Sequence, residues 1–212
     1  MKTTILQKAA GLLTAMTLTI ATQAKAELKC FIYEAGSSPT SFDKLVAMES
    51  VADQQPYKLI YANKGLAFQV MSENGNPTLS MAKISDHGNL VNIYSLLQKP
   101  NLSILVNSVT EDTLGVVREG TQVFGFISPF ENSSRSSKLK AMKPLSTEPQ
   151  VIAENGGRQI ISYQSSAENV SISDVSYNKT TVSLNRFQTE NQVTTFVLDM
   201  ERQYSFGCTS QK

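Results

Sequence analysis

Few residues in this chain are equipped for chemistry. The one histidine, His87, lies in Ser85-Asp86-His87-Gly88 beside an aspartate. With one of the many serines, the pair has the composition of a hydrolytic triad. A triad is an arrangement in space, however, and adjacency in sequence does not turn a carboxylate onto an imidazole. No G-x-S-x-G elbow occurs. His87 therefore reads as a solvated turn residue. Cys30 and Cys208 could supply a thiolate only if His87 came next to one of them, and a disulfide competes for both. Glu111 and Asp112 are neighbours in a Thr-rich turn, not two acids facing each other across a cleft as glycoside chemistry needs. Asp174 and Asn178 offer oxygens without EF-hand spacing, and Asp and Asn favour turns for backbone reasons. Gly156-Gly157 is a turn signal, with no phosphate-binding fingerprint around it. The sequence thus names no catalytic residue, no metal ligands and no cofactor.

What it does show is an address and a scaffold. Lys2 and Lys8 precede an uncharged run from Ala9 to Thr22, and Ala24-Lys25-Ala26 places small residues at −3 and −1 of a cleavage point. This is the pattern of a bacterial-type secretory signal, too short in its apolar run to span a bilayer. Cleavage after Ala26 is expected, leaving residues 27–212 as one β-domain in the periplasm or outside the cell. Cys30 follows a lysine, so no lipid anchor is expected. The whole chain of 212 residues carries 19 Lys+Arg and 18 Asp+Glu. Loss of the leader removes three lysines and leaves a net charge of −2. That balance argues against nucleic acid or an anionic membrane as the main partner.

In an exported chain an even pair of cysteines is expected to be bridged. A Cys30–Cys208 bond would hold the Cα atoms within about 7 Å and make the first and last strands neighbours.

Between them lies a succession of β-prone segments. The clearest unit is Leu66–Met71 and Pro77–Ile84 around Asn74-Gly75, a dipeptide that tolerates the positive φ of a tight hairpin. Pairing across it sets Val70 opposite Leu79 and Phe68 opposite Met81, with Gln69 facing Ser80. Further pairs flank Glu119-Gly120, Asn155-Gly156-Gly157, Tyr177-Asn178-Lys179 and 199–202. Leu28–Tyr33, Tyr57–Tyr61 and Leu102–Val106 complete the series. Two segments fit a helix: 41–52, where Leu45, Met48 and Ala52 share a helical face, and 89–98, which also suits a strand. A long loop is expected over 128–149, with three prolines, a serine cluster and four basic residues, Arg135, Lys138, Lys140 and Lys143.

Short strands with polar turns indicate an all-β antiparallel meander with at most one or two short helices. Tying its ends together suggests a closed barrel, which removes exposed edges; a two-sheet sandwich is the alternative. Phe68, Val70, Leu79, Met81, Val182, Leu184, Phe196 and Leu198 are the expected core, or the wall of a ligand cavity. The basic loop residues are candidates for touching a partner. The function expected is binding or structural, toward a small apolar ligand or another envelope protein. The chain is not expected to be an integral membrane protein. An outer-membrane barrel and a hydrolase with an unrecognised site remain the alternatives.

Overall fold

The computed structural model describes residues 27–36, 42–129 and 140–211. The leader and most of the serine-rich part of the 128–149 segment, including Arg135 and Lys138, lie outside the described residues. Sixteen strands follow one another: β1 Leu28–Glu34, β2 Lys44–Ser50, β3 Lys58–Asn63, β4 Leu66–Glu73, β5 Asn76–Ile84, β6 Leu90–Lys99, β7 Leu102–Asn107 and β8 Asp112–Glu119. Then come β9 Gln122–Pro129, β10 Ala141–Pro144, β11 Gln150–Asn155, β12 Arg158–Gln164, β13 Asn169–Ser176, β14 Lys179–Gln188, β15 Gln192–Asp199 and β16 Tyr204–Gln211. No helix occurs among the described residues.

The strands form two antiparallel sheets of eight. Sheet 1 runs β11-β12-β13-β14-β15-β16-β1-β2, and sheet 2 runs β10-β9-β8-β7-β6-β5-β4-β3. The chain is a meander throughout. It begins on sheet 1, crosses to sheet 2 after β2, and returns after β10. Its last strand then pairs with its first, with Cys30 opposite Cys208. Those two cysteines form the disulfide, their Cα atoms 4.0 Å apart. The bond indicates folding in an oxidising compartment.

The expected barrel is not what forms. The ring of strands is joined by backbone at β16–β1 but is open at two seams, β2/β3 and β10/β11, where no ladder connects the sheets. The reason is size. A closed barrel of this many strands encloses a lumen wider than side chains can fill. Flattening into two layers brings the inner faces to packing distance and lets them form a dry core. Side chains tie the seams instead. Lys58 of β3 pairs with Glu49 of β2, and Lys143 of β10 donates to the Val151 carbonyl of β11 at 3.2 Å.

The Asn74-Gly75 hairpin has the expected register, Val70–Leu79, Phe68–Met81 and Gln69–Ser80, with positive φ at both turn residues. Elsewhere the chain departs from expectation. Residues 44–50 are a strand, not part of a helix. Tyr33 pairs with Leu45 while Ile32 pairs with Ala47, so Val46 is bulged out. One extra residue resets the alternation and puts Leu45 and Met48 on the same outer face, a three-residue spacing that imitates a helix. Residues 90–99, for which the sequence left helix and strand both open, form a strand. The long loop contains β10, which adds to the edge of sheet 2.

Phe68, Val70, Leu79, Met81, Val182 and Leu184 all lie in the buried core between the sheets. Phe196 and Leu198 do not; they are half-buried on the outer face of sheet 1. The disulfide fixes this phase. Cys208 points inward and pairs with Thr195, so Thr195, Val197 and Asp199 point inward too. Counting hydrophobicity along β15 favours the wrong parity because both faces are apolar. The polar inward residues are satisfied locally. Thr195 shares a hydrogen bond with Ser103 across the sheets at 2.8 Å. Asp199 accepts from the backbone N–H groups of Glu201 and Arg202.

Candidate functional site

The centre of the inter-sheet layer is filled by side chains. Phe68, Val70, Leu79, Met81 and Leu184 are fully buried against one another and their neighbours. Polar groups within this layer brace the two sheets. Glu34 of β1 is the hub of one such brace. Its Oε1 accepts from Tyr61 Oη at 2.8 Å, Asn63 Nδ2 at 2.9 Å and Tyr204 Oη at 3.0 Å. Its Oε2 accepts from Lys44 Nζ at 3.0 Å. The lysine contact, then the three neutral donors, outweigh burial and hold the carboxyl down at about 2. Burial and the nearby Glu34 push the Tyr204 phenol up.

Two further braces are built on arginine. Arg158 of β12 bonds Asp174 of β13 through Nε and Nη2, at 3.0 and 2.6 Å, and reaches across to Asp112 of β8. Desolvation works against its charge, but the two carboxylates outweigh it and raise its pKa. Asp112 and Asp174 are thus structural partners of one guanidinium; Asn178 is exposed on its turn. Arg186 of β14 donates to Ser103 Oγ at 2.6 Å and to the carbonyls of Lys99 and Pro100. Burial, with Arg118 nearby, lowers it to about 10. Gln98 of β6 acts as a substitute peptide group: it donates to Val193 O at 3.1 Å and accepts from Thr195 N at 3.1 Å.

These braces surround the ends of the sandwich, where two clefts open. The larger, of about 490 Å³, lies between the sheets where the chain enters and leaves the fold. Inward-facing Leu28, Ser72, Gln98, Val193 and Ser210 form its floor. The segment after β2 walls one side, strapped to the β4–β5 turn by Gly75 N to Asp53 Oδ1 at 2.7 Å and Gln54 Nε2 to Asn74 Oδ1 at 3.2 Å. The smaller cleft, of about 450 Å³, lies at the other end, around Leu66, Ile93 and Tyr204. Neither holds a nucleophile paired with a base. His87 is exposed on its turn, and no hydrogen bond joins it to a hydroxyl or carboxylate among the described residues. No group of metal-ligating side chains occurs among them either.

The third feature is one that reading the sequence missed. Sheet 2 carries apolar residues on its outer face as well as its inner one. Ladder pairing aligns Met142, Phe126, Gly115, Ile104 and Leu97 across β10 to β6. A second row, Phe124, Val117 and Leu102, runs beside it. Met142 is exposed and the other side chains of both rows are half-buried. Phe126 lies over Gly115, where a Cβ would collide with its ring. Sheet 1 is polar only in the middle of its outer face, with Asn185 and Ser171 in one row and Ser183 and Ser173 in the next; the same rows continue to Phe196 and Leu198. The signal was present in the two-sided apolarity of β7, Leu102-Ser103-Ile104-Leu105-Val106, but such runs read equally as a fully buried strand.

Of the basic loop residues proposed to touch a partner, Lys140 is exposed, while Lys143 is engaged in closing the β10/β11 seam. No protein-family model matches the chain. No curated protein matches it at a significant level.

Proposed function

We propose that this chain is an exported binding module that docks another envelope protein on the outer face of sheet 2. The observation that carries the reading is the pair of apolar rows across β6 to β10, on a face over which no further sheet packs among the described residues. Contiguous apolar surface on a folded protein marks an interaction site more often than scattered hydrophobic residues do. The filled interior supports the same reading, because it leaves an apolar ligand no central cavity. Export rests on the leader, and fits a disulfide that needs an oxidising compartment.

A photo-crosslinking residue tests this directly. Placed at Ile104, in cells that make the chain with its own leader, it is expected to give a discrete adduct with one protein. Placed at Ser173, in the serine-lined middle of the outer face of sheet 1, it is expected to give none. Equal labelling from both positions, or none from Ile104, refutes the docking face.

A further inference from the structure

The geometry points to the smaller cleft as a site for an anionic amphiphile, a single carboxylate or phosphate head on an apolar chain. The cleft continues the inter-sheet layer beyond its packed core. Leu66, Ile93 and Tyr204 make its floor, while Lys64, Lys83 and Arg202 converge on it. None of the side chains lining it is acidic. Pairing explains the convergence. Lys83 lies opposite Leu66 in the β4–β5 ladder, with the inward parity of Met81, so at the strand end it faces the cleft mouth. Lys64 sits in the β3–β4 turn, and Ile84 N donates to Gly65 O at 2.7 Å, holding that turn against β5. Arg202 comes from the β15–β16 turn on the opposite sheet. Its guanidinium is anchored by Asp199 at 3.0 Å and by the Tyr94 ring, 5.7 Å from its centroid, with Glu201 at 3.8 Å.

Arg202 is therefore mostly neutralised and serves to fix the wall. Lys64 and Lys83 are exposed and have no carboxylate partner among the described residues. Two uncompensated ammonium groups beside an apolar floor select a charged head and a hydrocarbon body together. The opposite cleft lacks this character, since Glu27 and Asp53 line it along with Lys99. The inference is independent of the docking face, which lies on the outside of sheet 2.

Calorimetric titration of the purified, exported protein tests it with decanoate, decan-1-ol, decyltrimethylammonium and inorganic phosphate, each below any micelle concentration. Decanoate is expected to saturate one site, with decan-1-ol at least about tenfold weaker and the cation not binding, as charge-assisted hydrogen bonds require. Inorganic phosphate is expected to bind far more weakly than decanoate. Lys64→Gln with Lys83→Gln is expected to weaken decanoate at least about tenfold without moving the unliganded melting temperature. Equal binding of decanoate and decan-1-ol overturns the charged-head assignment. Phosphate matching decanoate overturns the apolar one. Undiminished binding by the double variant, or no saturable binding, overturns the site.

Discussion

Replacing Glu34 by glutamine should separate charge from shape at the brace it centres. Glu34 lies on β1, one of the two disulfide-linked strands, and its partners come from β2, β3 and β16. The glutamine oxygen can still accept from Tyr61, Asn63 and Tyr204. The amide nitrogen then faces Lys44, a donor facing a donor, and the lysine, with its side chain 63% exposed, swings into water. What is lost is the charge. A carboxyl held at about 2 against 4.5 when unperturbed corresponds to an upper limit of about 3 kcal/mol. Solvent screening on the Lys44 side reduces this, so a loss of about 2 kcal/mol is expected at pH 7. The folded pKa is depressed, so the stabilisation is complete above 4.5 and disappears as pH falls from 4.5 through 2. Urea titrations of both proteins at pH 7, 5, 4 and 3 provide the assay. The gap between them should be constant from pH 7 to 5 and narrow steadily below. A gap that stays constant down to pH 3 would show instead that the penalty is one of shape and not of charge.

Three other perturbations test the scaffold. Reducing Cys30–Cys208 opens a ring spanning 178 residues and should cost about 2–5 kcal/mol, read from guanidinium unfolding with and without reductant. Gly207→Ala should destabilise more than Gly115→Ala. The added Cβ at 207 meets the Thr195 carbonyl and the Phe196 backbone, which cannot move away, whereas at 115 it meets the Phe126 ring, which can swing outward. About 3 against about 1 kcal/mol is expected, and equal melting temperatures would contradict the contact geometry. Arg158→Met leaves Asp112 and Asp174 buried without their cation and should cost about 3–5 kcal/mol at pH 7. Urea unfolding of both proteins at pH 7 would show it, and equal midpoints would contradict the buried pairing.

How much of this was legible in the residues depends on which physical constraint was local. The Asn74-Gly75 hairpin was readable to the register because turn chemistry and side-chain alternation agree there. The closing contact of β1 with β16 followed from the cysteines alone. The split into two sheets did not, because it reflects the global cost of filling a wide ring, and no single segment records that cost. The strand at 44–50 was hidden by the bulge at Val46. Phe196 and Leu198 were assigned inward on hydrophobicity, although the cysteine pairing already implied that Thr195 faces in. The braces around Glu34, Arg158 and Arg186 join residues far apart in sequence, and nothing in their local context announces them. The same holds for the apolar outer rows of sheet 2 and the lysine-lined cleft, which exist only once distant strands are side by side.

An exported chain with its first and last strands paired and bridged by a disulfide makes one outcome unavoidable. The most direct test is the intact mass of the protein produced with its own leader and treated, unreduced, with a thiol alkylator under denaturing conditions. The expected product is a chain beginning at Glu27, two hydrogens lighter than the reduced form and carrying no alkyl group. A retained leader, or two alkylated cysteines, would contradict it.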